Sequence, residues 1–228
     1  MKANYGIDAP TVVRNMLIAA AILFVIAGVF APVRWLMWPG GFVLATALIM
    51  IFGSKVWKLR MRDRLLDGLQ LRGDEQVLDV GCGRGLMLIG AAKRLTTGTA
   101  TGIDLWRTVD QSGNSPDVTN ANAKAEGVES RIKIETGDMT EMPFPDNSFD
   151  LILSSWAIHN VPGKDLRAKA IEEIVRVLKP GGRVAIIDID AASEYVETFR
   201  AAGMLNLTKS PPSFLFVTPS WTVRATKP

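Results

Sequence analysis

The chain has 228 residues, enough for one domain of roughly 150–200 residues plus an extra segment. One Cys and one His exclude an internal disulfide, a Cys-based zinc site and a His cluster. The net charge of +3 divides into +6 on residues 1–64 and −3 on the remainder, so the larger part is mildly acidic and poorly suited to nucleic acid.

The hydrophobic excess lies near the start. No charged side chain occurs from Asn15 to Val33, or from Trp35 to Ser54, runs of 19 and 20 residues separated by Arg34. At 1.5 Å per helical residue each run covers about 30 Å, the thickness of a bilayer's hydrocarbon core. Between them, "APVRWLMWPGG" carries Pro32 and Pro39, which break helices, and Trp35 and Trp38, which favour a membrane interface. Residues 1–54 are therefore predicted to form a membrane-anchoring transmembrane hairpin, with helices at about 12–31 and 36–54. The alternatives are a shallow hairpin entering one leaflet, a signal peptide in the first run, and a buried hairpin of a soluble protein. Next comes "KVWKLRMRDR", with Lys55, Lys58, Arg60, Arg62 and Arg64, predicting a basic juxtamembrane helix over 55–69. Such charges favour the cytoplasmic side and add about 1 kcal/mol each near anionic headgroups. The expectation is an integral membrane protein with its larger domain in the cytoplasm.

From residue 70 the pattern changes to short β-branched runs alternating with helical stretches. Strands are predicted at Gln76–Val80, Thr99–Asp104, Arg131–Glu135, Phe149–Ser154 and Arg183–Ile189. Helices are predicted at Leu86–Leu95, Pro116–Glu126, Asp165–Leu178 and Ala192–Ala202, and "MLNLTKS" and "WTVRATK" form a terminal hairpin. The fold class is α/β, a doubly wound parallel sheet with helices on both faces, over residues 70–228.

The first strand runs into "VLDVGCGRG". Its glycines, Gly81, Gly83 and Gly85, miss the G-x-G-x-x-G spacing of a dinucleotide fingerprint. A carboxylate at the strand tip, Asp79, would repel a pyrophosphate but attract a cation. S-adenosylmethionine carries an ammonium and a sulfonium and no phosphate. Asp104 closes the second strand, where an acid can accept both ribose hydroxyls. Asp138, followed by Met139, closes the third, where an acid can accept from the adenine amino group. Ligands of such sheets bind outside the carboxyl ends of the strands. Trp106 is a candidate cover for the adenine.

"VLDVGCGRG", "GIDLW", "GDMTEMPFPDNSFDLIL" and "EEIVRVLKPGGRVAIID" resemble the class I S-adenosylmethionine-dependent methyltransferases. Within them they are most similar to the type-11 domain of the ubiquinone and menaquinone methyltransferases. The resemblance implies a seven-stranded Rossmann-like sheet of order 3-2-1-4-5-7-6 with strand seven antiparallel. It implies S-adenosylmethionine as cofactor, S-adenosylhomocysteine as product, and no metal. It assigns cofactor roles to Asp79, Gly81, Gly83, Asp104, Asp138 and Met139; Cys82, Gly85, Leu105 and Ser154 complete the predicted cofactor site. In "SSWAIHNV", His159 stands where the quinone branch typically has Arg.

Methyl transfer chiefly requires alignment, and a base helps when the acceptor is a thiol or phenol. His159, after the fourth strand, is the candidate base. Asp188 and Asp190 alternate along the fifth strand, so at most one should face the acceptor. Phe214, Leu215, Phe216 and Val217 form an apolar tip between prolines. Trp57 and Asp188, with Phe214 and Phe216, are the residues predicted to face substrate or membrane. If the basic helix packs back along the first strand, its membrane end lies at the cofactor edge, beside the turn between the last two strands. No insertion offers a lid, which leaves the bilayer to complete the pocket. The predicted function is methylation of a small lipophilic acceptor (thiol, phenol or quinol, or amine) by a membrane-anchored enzyme. The alternatives are a phospholipid amine N-methyltransferase and a non-catalytic, cofactor-binding membrane adaptor. The expected partners are the bilayer and a small lipophilic substrate, not nucleic acid.

Overall fold

Seven runs of β-forming residues pair into one sheet in the computed structural model, which describes residues 3–107, 113–214 and 218–228. The strands are β1 Gln76–Val80, β2 Thr99–Asp104, β3 Ile132–Thr136, β4 Phe149–Ser155, β5 Leu178–Asp188, β6 Leu205–Lys209 and β7 Trp221–Thr226. Their order is β3-β2-β1-β4-β5-β7-β6. The first five are parallel, and β7 runs antiparallel to both neighbours. Order and orientation agree with the expectation. β5 begins at Leu178 instead of Arg183, because Leu178 already pairs with Phe149 before the register shifts and Arg183 resumes opposite Leu151.

Helices cover both faces, so the central strands are buried throughout, as apolar runs such as "LILSS" require. On one face α4 (Leu86–Ala92) and α5 (Pro116–Ala125) pack with a helix that precedes the sheet; Leu66, Leu88 and Ile89 meet Val77 and Leu151 there. On the other, α6 (Lys164–Val177) and α7 (Ala192–Ala201) press Ile171, Ile174 and Phe199 onto Leu78, Ile152 and Ile186.

Residues 10–52 form a hairpin of α1 (Pro10–Val29), a 3-10 turn over Ala31–Leu36, and α2 (Met37–Phe52). Pro39 does not break α2. It sits in the first turn, where its missing N–H has no partner to lose. Small residues let the helices approach: Ala20, Ala27, Gly40 and Ala47 are buried, and a side chain on Gly40 would meet the Phe24 ring at 3.0 Å. Most of the remaining surface is bare, with Ile22, Val25, Phe42 and Leu48 pointing outward and Trp38 85% exposed at the tip. By length and composition α1 and the continuous helical stretch Ala31–Leu69, which contains α2, are able to cross a membrane.

The predicted boundary near residue 54 is a π-helical turn, Gly53–Trp57, through which α2 continues into α3 (Lys58–Leu69). α3 buries Arg62, Leu65, Leu66 and Leu69. Arg62 and Leu66 lie over Gly90 of α4, where an added Cβ would sit 2.5 Å from Arg62 Cδ and 2.8 Å from Leu66 Cδ1. Arg94 clamps the pair from outside, donating to Asp67 at 2.6 Å and Asp63 at 3.2 Å. At the far end the Leu69 carbonyl accepts from Arg183, which lies level, through Leu151, with Val77 near the start of β1. The near end, Lys58, shares a cavity with Gly81 at the end of β1. α3 therefore runs antiparallel to β1, as expected. Five basic side chains were expected to serve the membrane surface, but Lys58 and Arg62 are buried, 4% and 8% exposed. Three remain for headgroups (Lys55, Arg60 and Arg64), or about 3 kcal/mol.

Gly90→Val should force α3 off α4 and destabilise the chain by about 1–3 kcal/mol through overpacking. Thermal unfolding of the detergent-solubilised chain measures this, and an unchanged midpoint would mean that α3 is not seated on Gly90.

Candidate active site at the carboxyl edge of the sheet

After Val80 the chain must reverse into α4 within a few residues. Gly81 adopts φ +71° and lies so close to Ala157 that a Cβ would stand 2.2 Å from that methyl. The Gly81 and Cys82 amides donate to the Ile103 carbonyl at 2.9 and 3.2 Å, tying the loop to β2. Thr119 of α5 donates to the Gly83 carbonyl at 2.6 Å. The Gly83 amide donates to Asp104 Oδ2 at 2.8 Å.

Asp79 lies beneath this loop and is fully buried. Its Oδ2 accepts from the Leu88 amide at 2.8 Å, while Oδ1 has no hydrogen-bond partner among the described residues. Burial pushes its carboxyl up to about 7, with Asp104 adding to the effect and the Leu88 N–H opposing it. A buried, half-satisfied carboxylate is costly unless a cation meets it. The orphaned oxygen thus fits the ammonium of an amino-acid tail and does not fit a phosphate. Asp104 Oδ1 accepts from the Trp106 amide at 2.6 Å and from Asn114 Nδ2 at 3.1 Å. Oδ2 accepts from the Gly83 amide and keeps a lone pair for a hydroxyl. On Asp138, the Thr140 amide and hydroxyl both bond Oδ1 at 2.8 Å, so Oδ2 is left for an incoming donor. These residues, with Gly81, Cys82, Gly83, Leu105 and Met139, line one cavity of about 550 Å³, a normal size for a small-molecule site.

Two predicted cofactor residues do not line it. Gly85 starts α4 at φ +83° and packs against Ile89 and Thr119, so its role is the turn itself. The Ser154 hydroxyl donates to the Val80 carbonyl at 2.8 Å, tying β4 to β1; its neighbour Ser155 faces the cavity instead. Trp106 is also turned away, with its indole N–H donating to Thr136 at 2.9 Å. Cys82 both lines the cavity and packs against Gly102, and burial raises its thiol well above the usual range, which makes it inert.

His159 faces the cavity from the short turn Ile158–Asn160 after β4. Its Nδ1 lies 2.5 Å from Asp188 Oδ1, and its amide donates to Oδ2 at 3.2 Å. Asp188 also accepts from the Tyr195 hydroxyl at 3.0 Å and the Ile189 amide at 2.8 Å. Burial and the adjacent carboxylate push the Tyr195 hydroxyl up, so it stays a donor. Asp188 is fully buried and does not contact substrate space, contrary to expectation. Ile189 lines the cavity instead, and Asp190 accepts from the Ala191 amide. An ionised Asp188 accepts the Nδ1 proton, which leaves the Nε2 lone pair as the basic site.

The remaining wall comes from the hairpin base. Pro10 of α1, Met50 of α2, Ser54 of the π turn, and Lys58 and Met61 of α3 all line the same cavity, as does Thr218 from the last turn. The hairpin-proximal end of α3 thus lies at the carboxyl edge of the sheet. Trp57 does not reach it; its ring meets Phe52 edge-on at 5.1 Å. Phe214 is 70% exposed and does not line the cavity. Leu215, Phe216 and Val217 lie outside the described residues. Tyr5, Ile7 and Asp8, from the segment before α1, also line the cavity and had no local signal in the sequence. No group of potential metal ligands occurs among the described residues.

A family model described as "Methyltransferase domain" matches residues 78–186. The chain is 35% identical over 147 residues to "Methyltransferase GfsG" of Streptomyces halstedii, covering 61% of this chain and 49% of that protein. It is 34% identical over 135 residues to "Demethylmenaquinone methyltransferase" of Staphylococcus aureus strain MRSA252, covering 59% and 49%. It thus spans about half the length of the curated relatives it matches. In fold it is similar to geranyl diphosphate C-methyltransferase from Streptomyces coelicolor A3(2), solved with S-adenosyl-L-homocysteine. The TM-score is 0.61 at 16% identity, covering 79% of each chain. With a sheet of order 3-2-1-4-5-7-6, an acid at the tip of each of the first three strands or just beyond it, and these likenesses, residues 78–186 form a methyltransferase domain with the class I S-adenosylmethionine-dependent fold.

Proposed function

We propose that the chain is a membrane-anchored methyltransferase acting on a small lipophilic acceptor with an ionisable O–H or S–H, drawn from the bilayer. The observation that carries this reading is the continuity of one cavity from Asp79, Asp104 and Asp138 to Pro10, Met50 and Met61 at the hairpin base. An apolar acceptor entering beside those residues stays out of water until it reaches the cofactor. Demethylmenaquinone, the acceptor named for one relative, belongs to this lipophilic class.

S-adenosylmethionine, when bound, supplies a methyl carbon already activated by its sulfonium. Asp79 meets the ammonium, Asp104 and Asp138 orient the nucleoside, and the narrow loop at Gly81 lets the backbone approach. The acceptor oxygen or sulfur would take the methyl group from the sulfonium, leaving the neutral thioether, and His159 Nε2 would take the acceptor's proton. Asp188 holds the ring by its Nδ1–H and stabilises the imidazolium, while Tyr195 and the Ile189 amide keep Asp188 in place. A base held this way is suited to a phenol, quinol or thiol; a neutral amine does not need one.

His159→Ala should lower kcat on an alkylphenol about 10²–10⁴-fold, the usual contribution of a general base, while S-adenosylhomocysteine binding changes less than threefold. Asp188→Asn should approach the same loss, because its amide favours the wrong imidazole tautomer. Full activity in both variants would remove the base from the mechanism.

Asp79 also predicts a pH dependence. In the free chain its carboxyl titrates near 7, and binding an ammonium requires the ionised form, so binding expels a proton as pH falls. By linkage the Kd for S-adenosylhomocysteine should weaken about tenfold from pH 8 to pH 6. The product is the better probe, since it has no sulfonium to acidify its ammonium. Calorimetry in two buffers reads affinity and proton release together. Asp79→Asn should bind more weakly and with a flatter profile, and a pH-independent Kd in the unaltered chain would contradict the ammonium assignment.

A further inference from the structure

The segment before α1 is held at both ends by side chains distant in sequence. At one end, the Asn4 amide donates to Asn122 Oδ1 at 2.8 Å, and Asn122 Nδ2 donates to the Asn4 carbonyl at 3.1 Å. The same Nδ2 also donates to the Arg84 carbonyl, inside the glycine loop, at 2.9 Å. At the other end, the Asp8 amide donates to Ser54 Oγ, and Ser54 Oγ donates to Asp8 Oδ2, both at 2.9 Å. Between these ties, Lys58 reaches in from the first turn of α3. Its Nζ donates to the Tyr5 carbonyl at 2.9 Å, the Gly6 carbonyl at 3.2 Å and Asp8 Oδ1 at 3.2 Å.

This Lys is 4% exposed. A buried ammonium is unfavourable unless all its protons find acceptors; here two carbonyls and a carboxylate supply them. Those acceptors exist only while residues 5–8 lie across the cavity. Gly6 turns the segment at φ +78°, a conformation that L side chains rarely adopt. Tyr5, Ile7 and Asp8 line the cavity together with Asp79 and Gly83 on one side and Met50 and Met61 on the other.

We propose that residues 4–9 are a strap closing the cavity between the glycine loop and the hairpin base, and that Lys58 is the positioning residue that latches it. Ile7 is the strap's apolar contribution to the wall and helps decide which acceptors fit. The proposal rests on the cavity being the cofactor and acceptor site. The latch stands on the helix that continues the hairpin, so hairpin base and glycine loop are joined through buried Lys58 and the Ser54–Asp8 pair.

The test uses the full chain in detergent, with Lys58→Met, Lys58→Arg, Asp8→Asn and, as control, Lys55→Met at the exposed neighbouring position. Amide hydrogen exchange at Asn4 and Asp8 and the dissociation rate of S-adenosylhomocysteine are measured, neither of which requires turnover. In Lys58→Met, exchange at both amides should rise at least tenfold and the product should leave at least fivefold faster. Lys58→Arg should recover most of both, and Lys55→Met should match the unaltered chain. Asp8→Asn should move in the same direction by less, and it leaves α3 untouched should Lys58→Met fail to fold. Unchanged exchange in Lys58→Met and Asp8→Asn would overturn the latch. Faster exchange with an unchanged dissociation rate would overturn the strap as a cover. Failure of the unaltered chain to bind S-adenosylhomocysteine would overturn the proposed function together with the cover, an outcome distinct from either.

Discussion

The seating of α3 on α4 decides where everything else can lie. Leu66 and the stem of Arg62 fill the space that Gly90 leaves open, and Arg94 closes the contact from outside through Asp63 and Asp67. Because α3 runs antiparallel to β1, its start is forced to the edge where β1, β2 and β4 end. That edge is where parallel sheets of this kind bind ligands. The π turn at Gly53–Trp57 makes α2 and α3 one continuous rod, so the hairpin base is delivered to the same place.

Two buried carboxylates then divide the chemistry by their surroundings. Asp79 has one amide donor and an orphaned oxygen, and it needs an external cation. Asp188 is fully supplied by His159, Tyr195 and the Ile189 amide, and needs nothing from a ligand. In the proposed function the first receives the cofactor and the second steadies the base. Both are equally hidden from solvent; their donor sets, not their burial, separate the roles.

The sheet was legible because its strands are apolar runs broken by glycine loops, and β1 and β2 fall on their predicted residues. That three acids meet at one cavity was legible because the topology places strand ends together, so Asp79, Asp104 and Asp138 need only be counted from those ends. Gly85 and Ser154 were misplaced because a motif gives spacing without direction: one packs under its own helix, and the other bonds across to β1. Asp188 was read as facing substrate, since alternation along a strand cannot reveal that His159 folds back over it. The segment holding Tyr5, Ile7 and Asp8 was invisible, because its partners Asn122, Ser54 and Lys58 are remote in sequence and polar pairing leaves no periodicity. Lys58 itself was counted among the charges for lipid headgroups, and only tertiary packing distinguishes it from exposed Lys55.

The account turns on a site that opens onto the bilayer, and this is most directly tested by the route of the acceptor. The full chain is reconstituted into vesicles together with S-adenosylmethionine. A long-chain alkylphenol is dissolved either in those vesicles or in a separate, protein-free population, and methyl transfer is followed over times shorter than lipid exchange. The account predicts methylation only where protein and acceptor share a membrane. Equal rates from both populations would mean that the acceptor arrives through water and that the hairpin base is not its entrance.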